Sequence, residues 1–294
     1  MHMKKIIYIV PLLALLASSC GKDSPVKDND EIQFMIGYPS TKATVNSFEK
    51  NDVLSLWAVE QNGDGSMPLQ VGGNYINNEK LTFDGSQWKG AKKLYWSDSS
   101  CDFYAIYPYQ KTVTSVEEQP FSVQLDQNAT TDTGVDGYEA SDLLFASAKG
   151  VSRSNGAVSL QFKHMLSKIT IRLIKGEQFD GEIPDDVETH IYNTSTTGLL
   201  DIQRGSITKN DLGPRGTITA RKVSNSEFEA IVLPQNIETR TPLIEVTMGG
   251  IAYLLEYSLS LRPGYHHKID LTLNTSPDQE QIEISIDPGI EGWN

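Results

Sequence analysis

The chain is 294 residues long, enough for one large or two ordinary domains, and carries 38 Asp and Glu against 25 Lys and Arg for a formal charge of −13. That balance excludes a nucleic-acid partner, whose phosphates demand clustered lysine and arginine, and excludes a polybasic grip on anionic lipid. With only two cysteines, core packing rather than a disulfide framework has to supply the stability.

Chain order begins with MHMKKIIYIVPLLALLASSCGKD, residues 1–23. Lys4 and Lys5 form a positive head, Ile6–Ala17 is an apolar run, and small residues lead into Cys20. These are the parts of a secretion signal, and the run falls short of the ~20 apolar residues that span a bilayer. Small residues before a cysteine, with Gly21 after it, resemble a bacterial lipobox. The expectation is a lipoprotein signal peptide over 1–19, with lipid on Cys20 as the membrane attachment. Residues 20–30 are polar and without periodicity, which predicts a disordered tether. Within it, Lys22-Asp23 resembles the acidic surface-export tags of Bacteroidetes lipoproteins. With Cys20 lipidated, Cys101 has no disulfide partner. It shares strand parity with Phe103 and Ala105, which predicts a buried, inert thiol, and no histidine pattern supports a nucleophile.

From Ile32 onward the texture is β. In IQFMIGY, Ile32, Phe34 and Ile36 alternate with residues of a different kind. VLSLWAV, KLTF, KKLYW, CDFYAIYPY and FSVQLD follow, separated by turns such as QNGDG and FDGSQ. Asn128–Ala140 reads as a solvated loop. Its acids fail the spacing of a calcium loop, with no glutamate at the twelfth position from Asp126. The small residues of GVSRSNGA mark a domain boundary, giving an N-terminal β-sandwich over 31–155 and a C-terminal one over 156–294. In LQFKHMLSKITIRLI, Phe162, His164 and Leu166 share one parity while Ile169, Ile171 and Leu173 share the other, which predicts a bulge or kink at Ser167-Lys168. His164 then lies on an apolar face as a satisfied core histidine.

The second half continues with about eight strands, a Gly249-Gly250 hairpin and a Pro263-Gly264 turn, and closes on GIEGWN. His266 and His267 are adjacent, so a strand points them to opposite faces and they share no metal. Phosphate loop, G-x-S-x-G elbow and H-E-x-x-H are all missing from the sequence, which predicts no catalytic, cofactor or metal site and no enzyme.

Several segments, taken together in order, resemble the fimbrillin-like lipoproteins of Bacteroidetes, subunits of type V pili. They are the lipobox, Thr41-Lys42-Ala43, NDVLSLWAV, DFYAIYPY, SDLLFA, LQFKHMLSKITI, IVLPQ, LRPGYHHKIDLTL and the terminal Ile290-x-x-Trp293. The resemblance implies two tandem transthyretin-like β-sandwiches after the signal and tether. It implies an outer-membrane lipoprotein at the cell surface or in a fimbrium, with other fimbrial subunits as partners and a host or bacterial surface ligand. It also implies assembly by strand exchange: a protease cuts beyond the first strand, and a C-terminal strand of another subunit fills the groove. Phe34, Ile36 and Tyr38 would be the displaced groove fillers. The cut position corresponds to Lys42 where the family has arginine, so the alternatives are a cut at Lys42, one at Lys50, or a retained strand. Ile282, Ile284 and Ile286 would form the donor, or would complete their own sandwich. The short tail after Ile286 fits a tip or accessory role better than a shaft.

A surface glycan-binding lipoprotein of a polysaccharide-utilisation system is the alternative, with Trp57, Trp88, Trp96, Tyr104, Tyr107 and Tyr109 as the aromatic supply. Packing of those rings in the core or at its rim is the competing expectation. Three exposed rings on one flat surface would favour the glycan reading.

Overall fold

A computed structural model describes residues 30–39, 47–63, 65–132, 134–275 and 284–293. Cys20, Lys42 and Ile282 lie outside the described residues. In chain order the strands are β1 (Phe34–Gly37), β2 (Val53–Asn62), β3 (Gly65–Ser66), β4 (Ile76–Phe83), β5 (Trp88–Gly90), β6 (Cys101–Tyr107) and β7 (Gln119–Ser122). A short helix, α1 (Gly137–Ser141), precedes β8 (Leu144–Val151), β9 (Val158–Gln161), β10 (Lys163–His164) and β11 (Ser167–Gln178). Then come β12 (Glu188–Ser195), β13 (Thr197–Asp201), β14 (Ser206–Lys209), β15 (Arg215–Thr219), β16 (Arg221–Ser224) and β17 (Glu227–Val232). The last are β18 (Gln235–Ile237), β19 (Pro242–Met248), β20 (Ile251–Glu256), β21 (Leu259–Leu261), β22 (Tyr265–Thr275) and β23 (Ile284–Gly292). The chain is all-β in class, as its alternating segments predict.

The first half centres on a sheet ordered β10-β8-β6-β2-β4-β5, with β3 attached to β2. Beyond it, β11 is the middle strand of β16-β17-β11-β22-β23, and β15-β12-β19-β20 forms a further sheet. Every residue of β6 is buried, because that strand has apolar clusters on both faces. Cys101, Phe103, Ala105 and Tyr107 enter the smaller cluster with Leu54, Leu56 and Ala58 of β2. Tyr104 and Ile106 enter the larger one with Trp57 and Val59. A strand covered on both sides reads as a continuous apolar run rather than an alternation, which explains the texture of CDFYAIY.

Neither cluster is confined to one stretch of sequence. Val158, Leu160 and Phe162 fill the smaller cluster, while Phe121, Val123, Tyr138 and Leu143 fill the larger. β7 pairs with β13, carrying the segment before α1 into contact with the second half.

Two local readings change. The parity shift in LQFKHMLSKITI is not a bulge at Ser167-Lys168. β10 pairs with β8, and the chain then leaves that sheet, so Phe162 faces the smaller cluster while Met165, Leu166 and Ile169 face the larger. A change of sheet produces the same signature as an inserted residue. The second change concerns 128–140, which is not wholly a solvated loop. Asp136 caps α1 by accepting the Glu139 amide at 2.7 Å, and Tyr138 is buried. Gly137 has to be small, since a Cβ there would meet the Asp126 carbonyl at 2.1 Å. Nearby, the buried Gln127 exchanges two 2.7 Å hydrogen bonds with the backbone of Ile231.

The Gly249-Gly250 turn is as predicted. Both residues have positive φ, 57° and 77°, the conformation of a primed hairpin turn, and they join β19 to β20.

Candidate functional site

β1 lies parallel to β9, with Phe34 opposite Val158 and Gly37 opposite Gln161. Alternation turns Phe34, Ile36 and Tyr38 onto the smaller cluster and leaves Met35 64% exposed on the other side. Phe34 meets Phe103 edge-on at 6.3 Å, and Tyr38 meets Phe48 at 4.9 Å. Backbone bonds fasten both ends of the pairing: the Val158 amide donates to Gln33 at 2.8 Å, and that of Phe162 to Gly37 at 3.0 Å. The three residues predicted as groove fillers therefore occupy one apolar strip.

At the other end of the chain, β23 pairs antiparallel with β22 over nine positions, from Tyr265 opposite Gly292 to Leu273 opposite Ile284. It forms the edge of its sheet, where Pro288 removes no necessary ladder donor. Ile284 lies in this pairing, and Ile286 is half-buried against the larger cluster. The side chains of 287–292 are exposed. Trp293 is buried, donates its amide to the Gly264 carbonyl at 2.8 Å, and stacks on His164 at 3.6 Å with ring planes 7° apart.

His164 joins the two ends. Its Nδ1 lies 2.8 Å from the carboxylate of Asp142, and both residues are buried. The Tyr38 hydroxyl donates to the other Asp142 oxygen at 3.4 Å, and the Tyr38 ring stands edge-on to His164 at 6.0 Å. Tyr38, Asp142 and Trp293 line one cleft of about 320 Å³, with Tyr107, Glu139 and Asp52 beside them. Tyr107 donates to Glu139 at 2.7 Å. Burial and the surrounding carboxylates hold the Tyr38 and Tyr107 hydroxyls far above their ordinary range. Burial also raises Glu139 and Asp52, and neighbouring carboxylates add to it against the lowering by the Tyr107 hydroxyl. Across the cleft Arg221 lies 3.7 Å from the Tyr138 ring and pairs with Glu229 at 2.5 Å. This cluster of tyrosines and carboxylates holds chain segments together. A histidine on an apolar face was legible in the sequence, but its partners lie 22, 126 and 129 positions away, and no local pattern announces them.

Cys101 is 1% exposed, and burial pushes its thiol up to about 11. His266 and His267 do face opposite ways. His266 contacts Thr170 and Glu291, with burial lowering it to about 4, while His267 receives the Arg262 amide. Trp57 and Tyr104 are fully buried and Tyr107 nearly so. Trp88 packs on Phe48, and Trp96 on Phe103. Tyr109 is half-buried with the Lys80 ammonium 5.6 Å over its ring, so the six aromatics considered for glycan binding pack in the core or at its rim.

A family profile described as fimbrillin-like matches residues 41–293. The chain belongs to the fimbrillin-like family. The fimbrillin-like match begins just past β1 and runs to Trp293. A Bacteroides ovatus protein named as a fimbrium tip subunit, Fim1C, is 30% identical over 149 residues, 46% of this chain and 26% of that protein. The chain therefore spans about a quarter of that relative. Two solved structures described as cell adhesion proteins share the fold. The one from Bacteroides uniformis has a TM-score of 0.65 and 20% identity, covering 91% of this chain and all of that one. The one from Bacteroides ovatus has a TM-score of 0.66 and 17% identity, covering 90% and 97%.

Proposed function

We propose that the chain is a subunit of a surface fimbrium, exported as a lipoprotein through Cys20 and made ready for assembly when cleavage after Lys42 frees the first strand. The observation that carries this reading is the geometry of β1. It is four residues long, pairs with β9 alone among the described strands, and with Tyr38 just after it sets Phe34, Ile36 and Tyr38, each partly buried, in an apolar strip. Its loss would leave unpaired backbone along β9 and an open row of apolar contacts, a vacancy that an incoming strand satisfies on both counts. The partner is therefore an extended segment of another subunit, and Ile282, Ile284 and Ile286 are the equivalent segment here. Since Ile284 and Ile286 are paired with this chain's own β22, a tip or accessory position suits the chain better than the shaft. The name of the Bacteroides ovatus relative points the same way. Two transthyretin-like sandwiches, a place at the outer membrane and a host or bacterial surface ligand complete the reading, which assigns no catalysis.

Limited trypsin digestion tests it. The expected result is release of an N-terminal piece ending at Lys42, with the body retaining its β circular-dichroism spectrum. Absence of a cut there, or a body that unfolds, overturns strand exchange. Unboiled gels of the digested protein then sort the role: a terminal subunit stays monomeric, whereas a shaft subunit forms a ladder.

A further inference from the structure

The two ends of the described chain meet at His164. We infer that the contacts Tyr38–Asp142–His164–Trp293 hold the C-terminal strand in place for as long as the first strand is present, so that losing the first strand loosens the last. This rests on the reading of β1 as removable for its purpose, though the coupling itself is internal to one chain.

Little side-chain burial is present over 286–292 of β23, where Glu291 pairs with His266 and Lys268 at the surface. Among the described side chains of that end, 287–292 are exposed and Ile286 is half-buried, which leaves Trp293 as the buried one. What Trp293 rests on therefore matters. It lies flat on the His164 imidazole, and the ring's orientation is fixed from two other directions. Asp142 holds Nδ1 at 2.8 Å, and the Tyr38 ring buttresses the edge at 6.0 Å while its hydroxyl reaches the same Asp142.

Tyr38 directly follows β1 and precedes Lys42, so cleavage after Lys42 takes it away with the strand. That single loss strips Asp142 of a donor, strips His164 of its buttress, and admits water to the cleft that Tyr38 and Trp293 both line. An imidazole that keeps its Asp142 bond but loses the Tyr38 edge and gains water is a looser stacking surface than one braced on both sides. Trp293 then releases more readily, and β23 frays from its terminal end. Coupling of this kind is reciprocal: a change at Trp293 has to loosen β1 by the same factor.

Hydrogen exchange on the intact chain reads this directly, with no second subunit present. Tyr38→Ala should speed amide exchange in β23 by about three- to tenfold, the range that one ring contact converts to. Exchange in β20, an edge strand remote in sequence from the contact chain, is the internal control and should not change. Trp293→Ala should speed exchange in β1 by a similar factor. Tyr38→Phe, which keeps the ring and removes only the hydroxyl, should give the same pattern at smaller size and serves if the alanine variant fails to fold. In a His164→Gln background the Tyr38 substitution should no longer reach β23. Unchanged β23 rates in both Tyr38 variants overturn the inference, as does acceleration shared equally by β20. A chain that exchanges its first strand while β23 rates stay fixed would retain the fimbrial reading and lose the coupling. Coupling in a chain that trypsin does not open would do the reverse.

Discussion

β1 and β23 are both edge elements, yet opposite forces hold them. β1 has four paired residues and, with Tyr38 just beyond it, sets three partly buried side chains against the apolar cluster, so side-chain packing is a large share of its hold. β23 has nine paired residues and an exposed row over 287–292, so its ladder is the larger hold, with Trp293 as the buried anchor among the described side chains. The difference has a consequence for strand exchange. A strand held by side chains leaves behind shaped vacancies that select what replaces it, because pockets for alternate residues give specificity while backbone bonds give affinity. A strand held by its ladder can leave from one end without opening a core.

Substitutions on the two strands sharpen that contrast. The largest effect belongs to Ile36→Asp, which forces a carboxylate against the smaller cluster and should cost about 3–5 kcal/mol in urea unfolding. An effect near zero would show that β1 is not held by burial. Trp293→Ala removes the buried side chain that follows the last strand and should cost about 2–3 kcal/mol, less than a central core tryptophan because the terminus can relax. Smaller again is the pH response around the cleft. Glu139 and Asp52 are raised by burial, so their ionisation opposes folding, and acidification from neutral toward the ordinary carboxylate range should stabilise slightly. Glu229 and Asp102 are lowered despite their burial, Glu229 by Lys168 and Arg221 and Asp102 by hydrogen bonds from Ser66 and Gly150. Their contribution is present above the unfolded carboxylate value and is lost as pH falls through the folded one. Melting curves should therefore show a shallow maximum on the acid side of neutral and a fall below about pH 4. Glu139→Gln should flatten the upper limb by under about 1 kcal/mol. The smallest effect is Ile290→Asp in β23, within about 0.5 kcal/mol because that side chain is 54% exposed. A large loss there would break the contrast by showing a buried face on β23.

Much of this was legible in the sequence, but unevenly. The alternation of Ile32, Phe34 and Ile36 identified the first strand and its inward face, since period two on a half-buried strand leaves a direct trace. Gly249-Gly250 announced its hairpin because few residues tolerate two positive φ values in succession. Phe162 through Leu173 misled, since a strand that changes sheets and a strand with an extra residue shift phase alike. The α1 turn was also missed, although Asp136 and Glu139 stand at the spacing of a capping pair. The His164 contacts were out of reach altogether. Tyr38, Asp142 and Trp293 become neighbours only through the parallel pairing of β1 with β9 and the return of β23 along β22.

Strand exchange requires β1 to be separable from a body that stays folded and can be refilled. The direct measurement is the melting temperature of trypsin-cleaved protein, freed of its N-terminal piece, with and without a synthetic peptide of residues 31–39. A folded body that melts lower than the intact chain, and recovers in a saturable way as peptide is added, is the predicted result. A body that unfolds on cleavage, or whose melting temperature ignores the peptide, would contradict it.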